Sequence, residues 1–278
     1  MSKTQIIIIL ALVTGSAANA QYYYKDIVSN RQLVEDMTRL KEQKIRTIHI
    51  TSFEDDGSPS DGFTCEKNIS KNYSKVETFT NSNVTGPSLF TSYFSKNGSV
   101  SKTIDSSEIA VTTVNYSYEE SGQIKSISSG VRSSDDDFAN EIFEEHLYQY
   151  DAKGYLQKMI RVKNSTDSTV VLFSLDEKNN VSIEKDTKSG KSYYYYYDSK
   201  NRLTDVVHLN QFNEKMLPDY LFEYNSAGLN TQMTTTEEGG SYYYIWKYTY
   251  DNGLRNSEKC FSKERRLMGT IQYEYEYK

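Results

Sequence analysis

Histidine and carboxylate side chains are the groups in this sequence best suited to acid–base chemistry near neutral pH. The segment Glu144-Glu145-His146 places acids next to an imidazole, and Tyr148 follows two positions later. Side chains alternate along a strand, so Glu144, His146 and Tyr148 would share one face. This group is either a catalytic acid–base pair or a cross-strand pair on a sheet surface, and we favour the cross-strand pair.

Motifs that would support an enzymatic reaction are otherwise missing from the sequence. It contains no Gly-x-Ser-x-Gly elbow, phosphate-binding loop or zinc-ligand spacing. The two cysteines, Cys65 and Cys260, lie neither in a Cys-x-x-Cys motif nor beside a histidine. The acidic segments 55–62 and 135–137 are predicted to be solvated loops, and the first lacks the spacing of a calcium-binding loop. We therefore predict that the protein is not an enzyme and has no catalytic residue, cofactor or metal site.

Tyrosine is the most unusual component, with 25 residues against 11 phenylalanines and a single tryptophan. In a strand, the run from Tyr193 to Tyr197 would place alternate rings on opposite faces of the sheet. Flat rows of rings can stack on sugars, which suggests a carbohydrate-binding face. The residues that would form it are Tyr193, Tyr195, Tyr197, Tyr242, Tyr244 and Trp246. The alternative is that one face packs in the core while the other forms cross-strand aromatic ladders, and we favour it because tyrosine fits a half-buried sheet without any ligand.

The first segment of the chain, residues 1–20, has the pattern of a secretory signal peptide. Lys3 precedes an apolar run from Ile6 to Val13, and Ala18-Asn19-Ala20 precedes Gln21. The mature chain would then be exported, to the periplasm or the cell exterior, in association with the cell envelope. The rest of the sequence has no apolar stretch long enough to span a bilayer. A formal net charge of −6 argues against a nucleic-acid partner, which would need a basic surface.

Residues 21–46 form an N-terminal helical segment whose pattern differs from everything after it. Leu33, Met37 and Leu40 are spaced as one apolar stripe, which predicts a single short helix over residues 31–43. Such a helix would cover an edge or an open end of a sheet. Through the domain 47–278 the apolar period changes to two, which indicates β-strands.

A turn motif recurs throughout this β-domain. An aromatic residue precedes Asp, a residue that tolerates positive φ follows three positions after the Asp, and an aliphatic residue restarts the strand. Tyr150 to Leu156 is the clearest copy, with Gly154 at the positive-φ position, and Tyr197 to Leu203 is a variant. We interpret the copy at Tyr224 as one residue short. The spacing of the copies predicts roughly fifteen to twenty short strands in hairpins.

The copies Tyr150 to Leu156 and Tyr197 to Leu203 resemble the YD repeats of bacterial RHS-type proteins. The resemblance extends over residues 93–277, and the signal peptide adds a likeness to small exported YD-repeat proteins of Bacteroidetes-type bacteria. It implies long antiparallel sheets that wind into shells or tubes.

The expected fold class is therefore all-β, an antiparallel meander of YD-type β-hairpin repeats with one short N-terminal helix. An open sheet of more than about ten strands curls or closes, and we expect a curved sheet or half-barrel without closure. Cys65 and Cys260, near opposite ends of the repeats, would then stay free and separately buried.

The expected function is that of an exported, non-enzymatic structural or interaction module at the cell envelope, with an envelope protein or a glycan as partner. The alternative is a carbohydrate- or peptidoglycan-binding module that uses the tyrosine face. An outer-membrane barrel is disfavoured, because Glu274 and Glu276 would place charge on one face of the last strand.

Overall fold

The computed structural model describes residues 21–134, 141–210, 214–237 and 242–277. The predicted signal peptide and the acidic segment 135–137 lie outside these residues. The described chain begins with a π-helix, Tyr23–Val28, which continues into helix α1, Ser29–Glu42. The strands among the described residues are β1 (Ile45–Glu54), β2 (Thr64–Ile69), β3 (Lys75–Ser82), β4 (Gly86–Phe94), β5 (Val100–Ser107), β6 (Ala110–Tyr118), β7 (Ile124–Ser133), β8 (Ile142–Tyr150), β9 (Leu156–Lys163), β10 (Asp167–Leu175), β11 (Val181–Asp186), β12 (Ser192–Tyr197), β13 (Leu203–Leu209), β14 (Met216–Tyr224), β15 (Asn230–Thr236), β16 (Tyr243–Asp251), β17 (Leu254–Ser262) and β18 (Leu267–Tyr277).

Helix α1 forms where the apolar stripe predicted a helix. Leu33 and Met37 pack against Phe94 of β4 and Val100 of β5, which buries the stripe. The helix stops before Lys44, whose positive φ of 59° cannot continue a right-handed helix. Neither this helix nor the π-helix, within the described ranges, has the length and apolar character needed to cross a membrane.

The repeat turns have the geometry that the motif predicted. The carboxylate of Asp151 accepts hydrogen bonds from the amides of Lys153 (2.8 Å) and Tyr155 (2.9 Å), which fixes the turn before β9 begins. Gly154 has a φ of +83°, a conformation in which a residue with a side chain would be strained. The same pattern of a carboxylate bonded to two amides recurs at Asp176 and Asp198.

The turn after Tyr224 has a different length from the one that we inferred from the sequence. Asn225 donates its amide to the Leu229 carbonyl at 3.0 Å, and Gly228 has a φ of +85°. These are the features of a full-length copy. The interpretation of a missing residue was wrong because Asn230 stands where the other copies carry an aliphatic residue, and Leu229 was aligned in its place.

The eighteen strands found among the described residues form one antiparallel sheet in which each strand pairs with its neighbours in sequence. Strand β1 pairs with β2 on one side and with β18 on the other. The prediction of an open half-barrel is therefore wrong, and the sheet is a closed barrel. Twist accumulates along so long a meander until its ends meet, and closure pairs the backbone groups that two open edges would leave unsatisfied.

Residues 21–42 lie inside the barrel. The π-helix packs in one cluster with strands from β6 to β15, while α1 contacts β1 and β5. A segment that contacts the wall in so many directions must lie within the barrel, so the helix does not cover a sheet edge. Eighteen strands enclose a lumen wider than one helix. We call residues 21–28 the plug.

Cys65 and Cys260 are both buried and both free, as predicted. Closure does not bring them together, because β18 and β1 lie between the strands that carry them, β17 and β2. Three strand spacings correspond to roughly 14 Å, whereas the Cα atoms of a disulfide lie within about 7 Å of each other.

Candidate functional site in the barrel interior

A buried carboxylate on the barrel wall holds the start of the plug. Glu184 of β11 is 0% exposed, and its carboxylate accepts hydrogen bonds from the amides of Tyr22 (3.0 Å) and Tyr23 (2.9 Å). The hydroxyl of Tyr195 donates a further bond at 2.7 Å. Burial raises the pKa of Glu184 to about 7, although these hydrogen bonds favour the ionised form. The plug thus supplies most of the hydrogen bonds of this carboxylate.

A second anchor joins the plug to β8 through His146. The Nδ1 atom of His146 lies 2.5 Å from a carboxylate oxygen of Asp26, and Nε2 lies 2.8 Å from Glu144. The hydroxyl of Tyr148 donates to the same oxygen of Asp26 at 2.6 Å. Burial opposes protonation of the imidazole, but the two carboxylates outweigh it and raise the pKa of His146 to about 9. His146 is therefore an imidazolium at neutral pH, and neither ring nitrogen is free to act as a base.

This anchor differs from the sequence prediction in its place and in its partner. Glu144, His146 and Tyr148 share one face, as predicted, but that face points into the barrel and the His146 side chain is only 12% exposed. The prediction of a surface pair is therefore wrong. The missed partner, Asp26, lies 120 residues earlier in the chain, and no local sequence signal connects the two.

Further polar contacts surround the plug. Arg161 of β9 donates to the hydroxyl of Tyr22 at 2.6 Å, and the ring of Tyr22 packs edge-on against His146 with centroids 4.9 Å apart. On β13, His208 is paired with Asp219 at 2.8 Å. No group of three or more His, Cys, Asp or Glu side chains within the described residues could hold a metal ion. The contacts of Tyr22 with Arg161 and His146 thus help to hold the plug in place.

The run of five tyrosines alternates as predicted. Tyr193 and Tyr195 are each 2% exposed and face the interior, whereas Tyr196 is 51% exposed on the outside. The ring of Tyr195 packs edge-on against Tyr23 of the plug, with centroids 5.1 Å apart. Tyr197 is half-buried in the same cluster. This part of the candidate ligand face is therefore closed to a ligand while the plug is docked.

Tyr244 and Trp246 lie in a more open part of the lumen. Trp246 is opposite Met233 in the sheet, and Met233 packs in the interior cluster, so Tyr244 and Trp246 both point inward. Both nevertheless keep intermediate solvent exposure. Tyr242, just before this strand, is 48% exposed. These rings lie on or beside β16, four strands away from Tyr193 on β12, so the six candidate residues do not form one surface.

Tyrosines near the ends of strands, five of them just before repeat turns, tie neighbouring strands together. Each hydroxyl donates to a carbonyl at the start of the strand before its own, and we call these bonds tyrosine clamps. They are Tyr118 to Val100 (2.7 Å), Tyr150 to Ile124 (2.8 Å), Tyr197 to Val181 (2.8 Å), Tyr224 to Leu203 (2.7 Å), Tyr250 to Asn230 (2.6 Å) and Tyr275 to Arg255 (2.6 Å). The recurrence of tyrosine just before the turns was the sequence signal that could have revealed them.

Apolar side chains are exposed on the outer wall around β3 and β4. Phe79, 45% exposed, lies opposite Leu89, 38% exposed, on these neighbouring strands. The turns from β3 to β4 and from β5 to β6 carry Val84 and Ile109, which are 57% and 80% exposed. We call these four residues the apolar patch. Exposed apolar surface of this kind marks a site of interaction when it is contiguous.

The outer wall at the seam between β18, β1 and β2 is charged. His49 lies 3.0 Å from Glu276 and 3.3 Å from Glu66, so it bridges three strands. The hydrogen bond to Glu276 raises the pKa of His49. Glu274 also faces outward, because Tyr273 beside it packs inside. The charges that the sequence predicted for one face of the last strand thus lie on the outer wall.

Comparisons with known proteins give structural likeness alone. No family model and no curated protein matches this chain. Among solved structures, a porin-like protein from Bacteroides uniformis is 10% identical, covers 84% of this chain and 98% of its own, and has a TM-score of 0.39. A porin-like protein from Bacteroides vulgatus is 12% identical, with the same coverage and a TM-score of 0.32. The TcdB2-TccC3-TEV structure is 13% identical over 77% of this chain, with a TM-score of 0.35, but this chain spans only 12% of that one. Likenesses this weak assign neither a family nor a function.

Proposed function

We propose that this protein is an exported, non-enzymatic β-barrel that acts as an interaction module at the cell envelope, where its apolar patch binds another envelope protein. The observation that carries the proposal is the pairing of Phe79 with Leu89 on the outer wall, with both side chains more than one-third exposed. Nothing inside the barrel requires these positions to be apolar, because they point away from the core.

The arrangement of the patch supports protein binding. Leu89 lies opposite Ser106, and Ser106 lies opposite Val111, so the outward row continues from β3 to β6. Ile109 and Val84 extend it to the adjoining turns. A rigid sheet surface with protruding apolar side chains can bury them against a partner with little loss of conformational entropy.

The use of the interior groups supports a non-enzymatic role. Both ring nitrogens of His146 are occupied, Nδ1 by Asp26 and Nε2 by Glu144. A general base needs a free lone pair directed at a substrate. The His146 side chain stabilises the docked plug instead.

Site-specific photo-crosslinking in the producing cell tests this function. A photoreactive amino acid at Leu89 is expected to give a discrete adduct with one envelope protein, and Phe79→Ser in the same chain should lower its yield at least fivefold. The matched control is the same group at Gln272, which is exposed on the outer wall of β18. Absence of an adduct at Leu89, or an equal adduct at Gln272, would contradict the proposal.

A second candidate function, carbohydrate binding, is favoured by the inward rings of Tyr244 and Trp246. They line a part of the lumen that reaches solvent, and rings of this kind can stack on sugars. A glycan array probed with the mature protein is then expected to give signals that Trp246→Ala abolishes and that Tyr196→Ala, on the outer wall, preserves. A blank array with the folded wild-type protein would remove this function.

A further inference from the structure

The plug is held in the barrel by contacts that depend on protonation. The amides of Tyr22 and Tyr23 bind Glu184, and the plug's one acidic side chain, Asp26, binds His146 and Tyr148. A π-helix such as Tyr23–Val28 is rare, so contacts with the wall must impose it. We propose that the plug is a pH-operated gate, docked in the lumen at acidic and neutral pH and released from it at alkaline pH.

The sign of the effect is the same for both anchors. The docked pKa of Glu184, about 7, lies above the ordinary value of 4.5, so the docked state is favoured below pH 4.5 and loses this advantage up to pH 7. The docked pKa of His146, about 9, lies above 6.5, so its contribution is complete below pH 6.5 and is lost by pH 9. Deprotonation of His146 removes its ion pair with Asp26. Deprotonation of Glu184 leaves a buried charge whose desolvation outweighs the hydrogen bonds from the plug amides. Both changes therefore weaken docking.

The other charged and titratable groups around the anchors do not reverse this trend. Arg161 on β9 keeps its charge over the whole range, and the buried tyrosines titrate above it. The groups that face the anchors are Tyr22 and Asp26 of the plug, Tyr116 of β6, Glu144 and Tyr148 of β8, Arg161 of β9, Asp186 of β11 and Tyr195 of β12. By pH 9, Glu184 has become negatively charged and His146 has begun to lose its positive charge. The Asp26 carboxylate then lies near other carboxylates without its cationic partner.

Release would uncover an aromatic surface inside the barrel. Tyr193 and Tyr195 are 2% exposed with the plug in place, and Tyr148 is 4% exposed. Tyr24 of the plug stacks on Tyr220 with centroids 4.7 Å apart, so this ring would be freed as well. The gate requires neither of the functions proposed above, and its test is independent of theirs.

Amide hydrogen exchange of the full-length mature protein tests the gate. Protection of residues 21–28, corrected for the intrinsic rate at each pH, is expected to fall more than tenfold between pH 6 and pH 9, while that of β4, which carries no histidine or carboxylate, stays within about twofold. A fall of the same size in both segments, or none in the plug, would overturn the proposal. The wild-type profile alone decides this, even where a variant does not fold.

Three variants locate the gate. In Glu184→Gln, the protection of residues 21–28 should no longer change with pH between pH 5 and 7, because the carboxamide does not titrate. In His146→Gln protection should be lower at pH 6 and should change little between pH 7 and 9. The matched control is His49→Gln, which removes another histidine with two carboxylate partners, at the seam, and should leave the profile unchanged. If His49→Gln flattens the profile and His146→Gln does not, the gate is wrong.

Discussion

Replacing Asp26 with alanine is expected to lower the free energy of unfolding by about 3–5 kcal/mol, because it leaves the buried charge of His146 without its closest partner. The same change leaves the hydroxyl of Tyr148 without its acceptor. Both side chains are nearly buried, so water cannot replace the lost carboxylate. Urea denaturation of the purified protein at pH 7 measures the effect.

Two substitutions serve as controls for this result. Asp26→Asn keeps a hydrogen-bond acceptor but removes the charge. Its free energy of unfolding should lie between those of the wild type and the alanine variant. Asp36→Ala changes another aspartate of the N-terminal segment, but its side chain is 59% exposed, so the free energy of unfolding should change by less than about 0.5 kcal/mol. An equal loss in Asp26→Ala and Asp36→Ala would show that the anchor at His146 does not stabilise the fold.

Removing three tyrosine clamps at once is expected to lower the free energy of unfolding by about 3 kcal/mol. In the variant that carries Tyr150→Phe, Tyr224→Phe and Tyr250→Phe, each ring keeps its packing, but the carbonyls of Ile124, Leu203 and Asn230 lose their donors. One such hydrogen bond contributes about 1 kcal/mol, and separated sites add nearly independently. The shift in the urea midpoint, at constant slope, measures the sum.

The control for the clamps is Tyr196→Phe, which removes a hydroxyl from the exposed outer face of the same tyrosine run. It should change the free energy of unfolding by less than about 0.5 kcal/mol. If the triple variant lowers the free energy of unfolding by less than about 1 kcal/mol, water hydrogen-bonds to these carbonyls as well as tyrosine does. The clamps would then be a by-product of packing.

The local features of the fold were predictable because they arise within a few residues. The turn at Asp151 and Gly154 is determined by one carboxylate, its neighbouring amides and one positive φ. The alternation of Tyr195 inward and Tyr196 outward follows from the period of a strand. These signals predicted an all-β meander and one short helix.

The features that were missed depend on residues far apart in sequence. Closure of the barrel requires β1 to pair with β18. Whether these strands meet depends on the twist that accumulates over the whole meander. The anchors of the plug likewise connect Asp26 with His146 and Glu184 with Tyr22, pairs that are 120 and 162 residues apart. The sequence pattern of residues 21–46 indicated a helix, but not that a closed sheet would enclose it.

The seam has a consequence for the order of events when the chain is made. His49 and Glu276, which meet there, are 227 residues apart, whereas the other strand pairings join neighbours in sequence. Strand β1 emerges first, and one of its edges stays without a partner until β18 has emerged. An unpaired edge is a template for aggregation, and contacts between distant residues form slowly. The nascent chain is therefore prone to aggregation throughout its synthesis, and a chain interrupted before β18 would keep two unpaired strand edges.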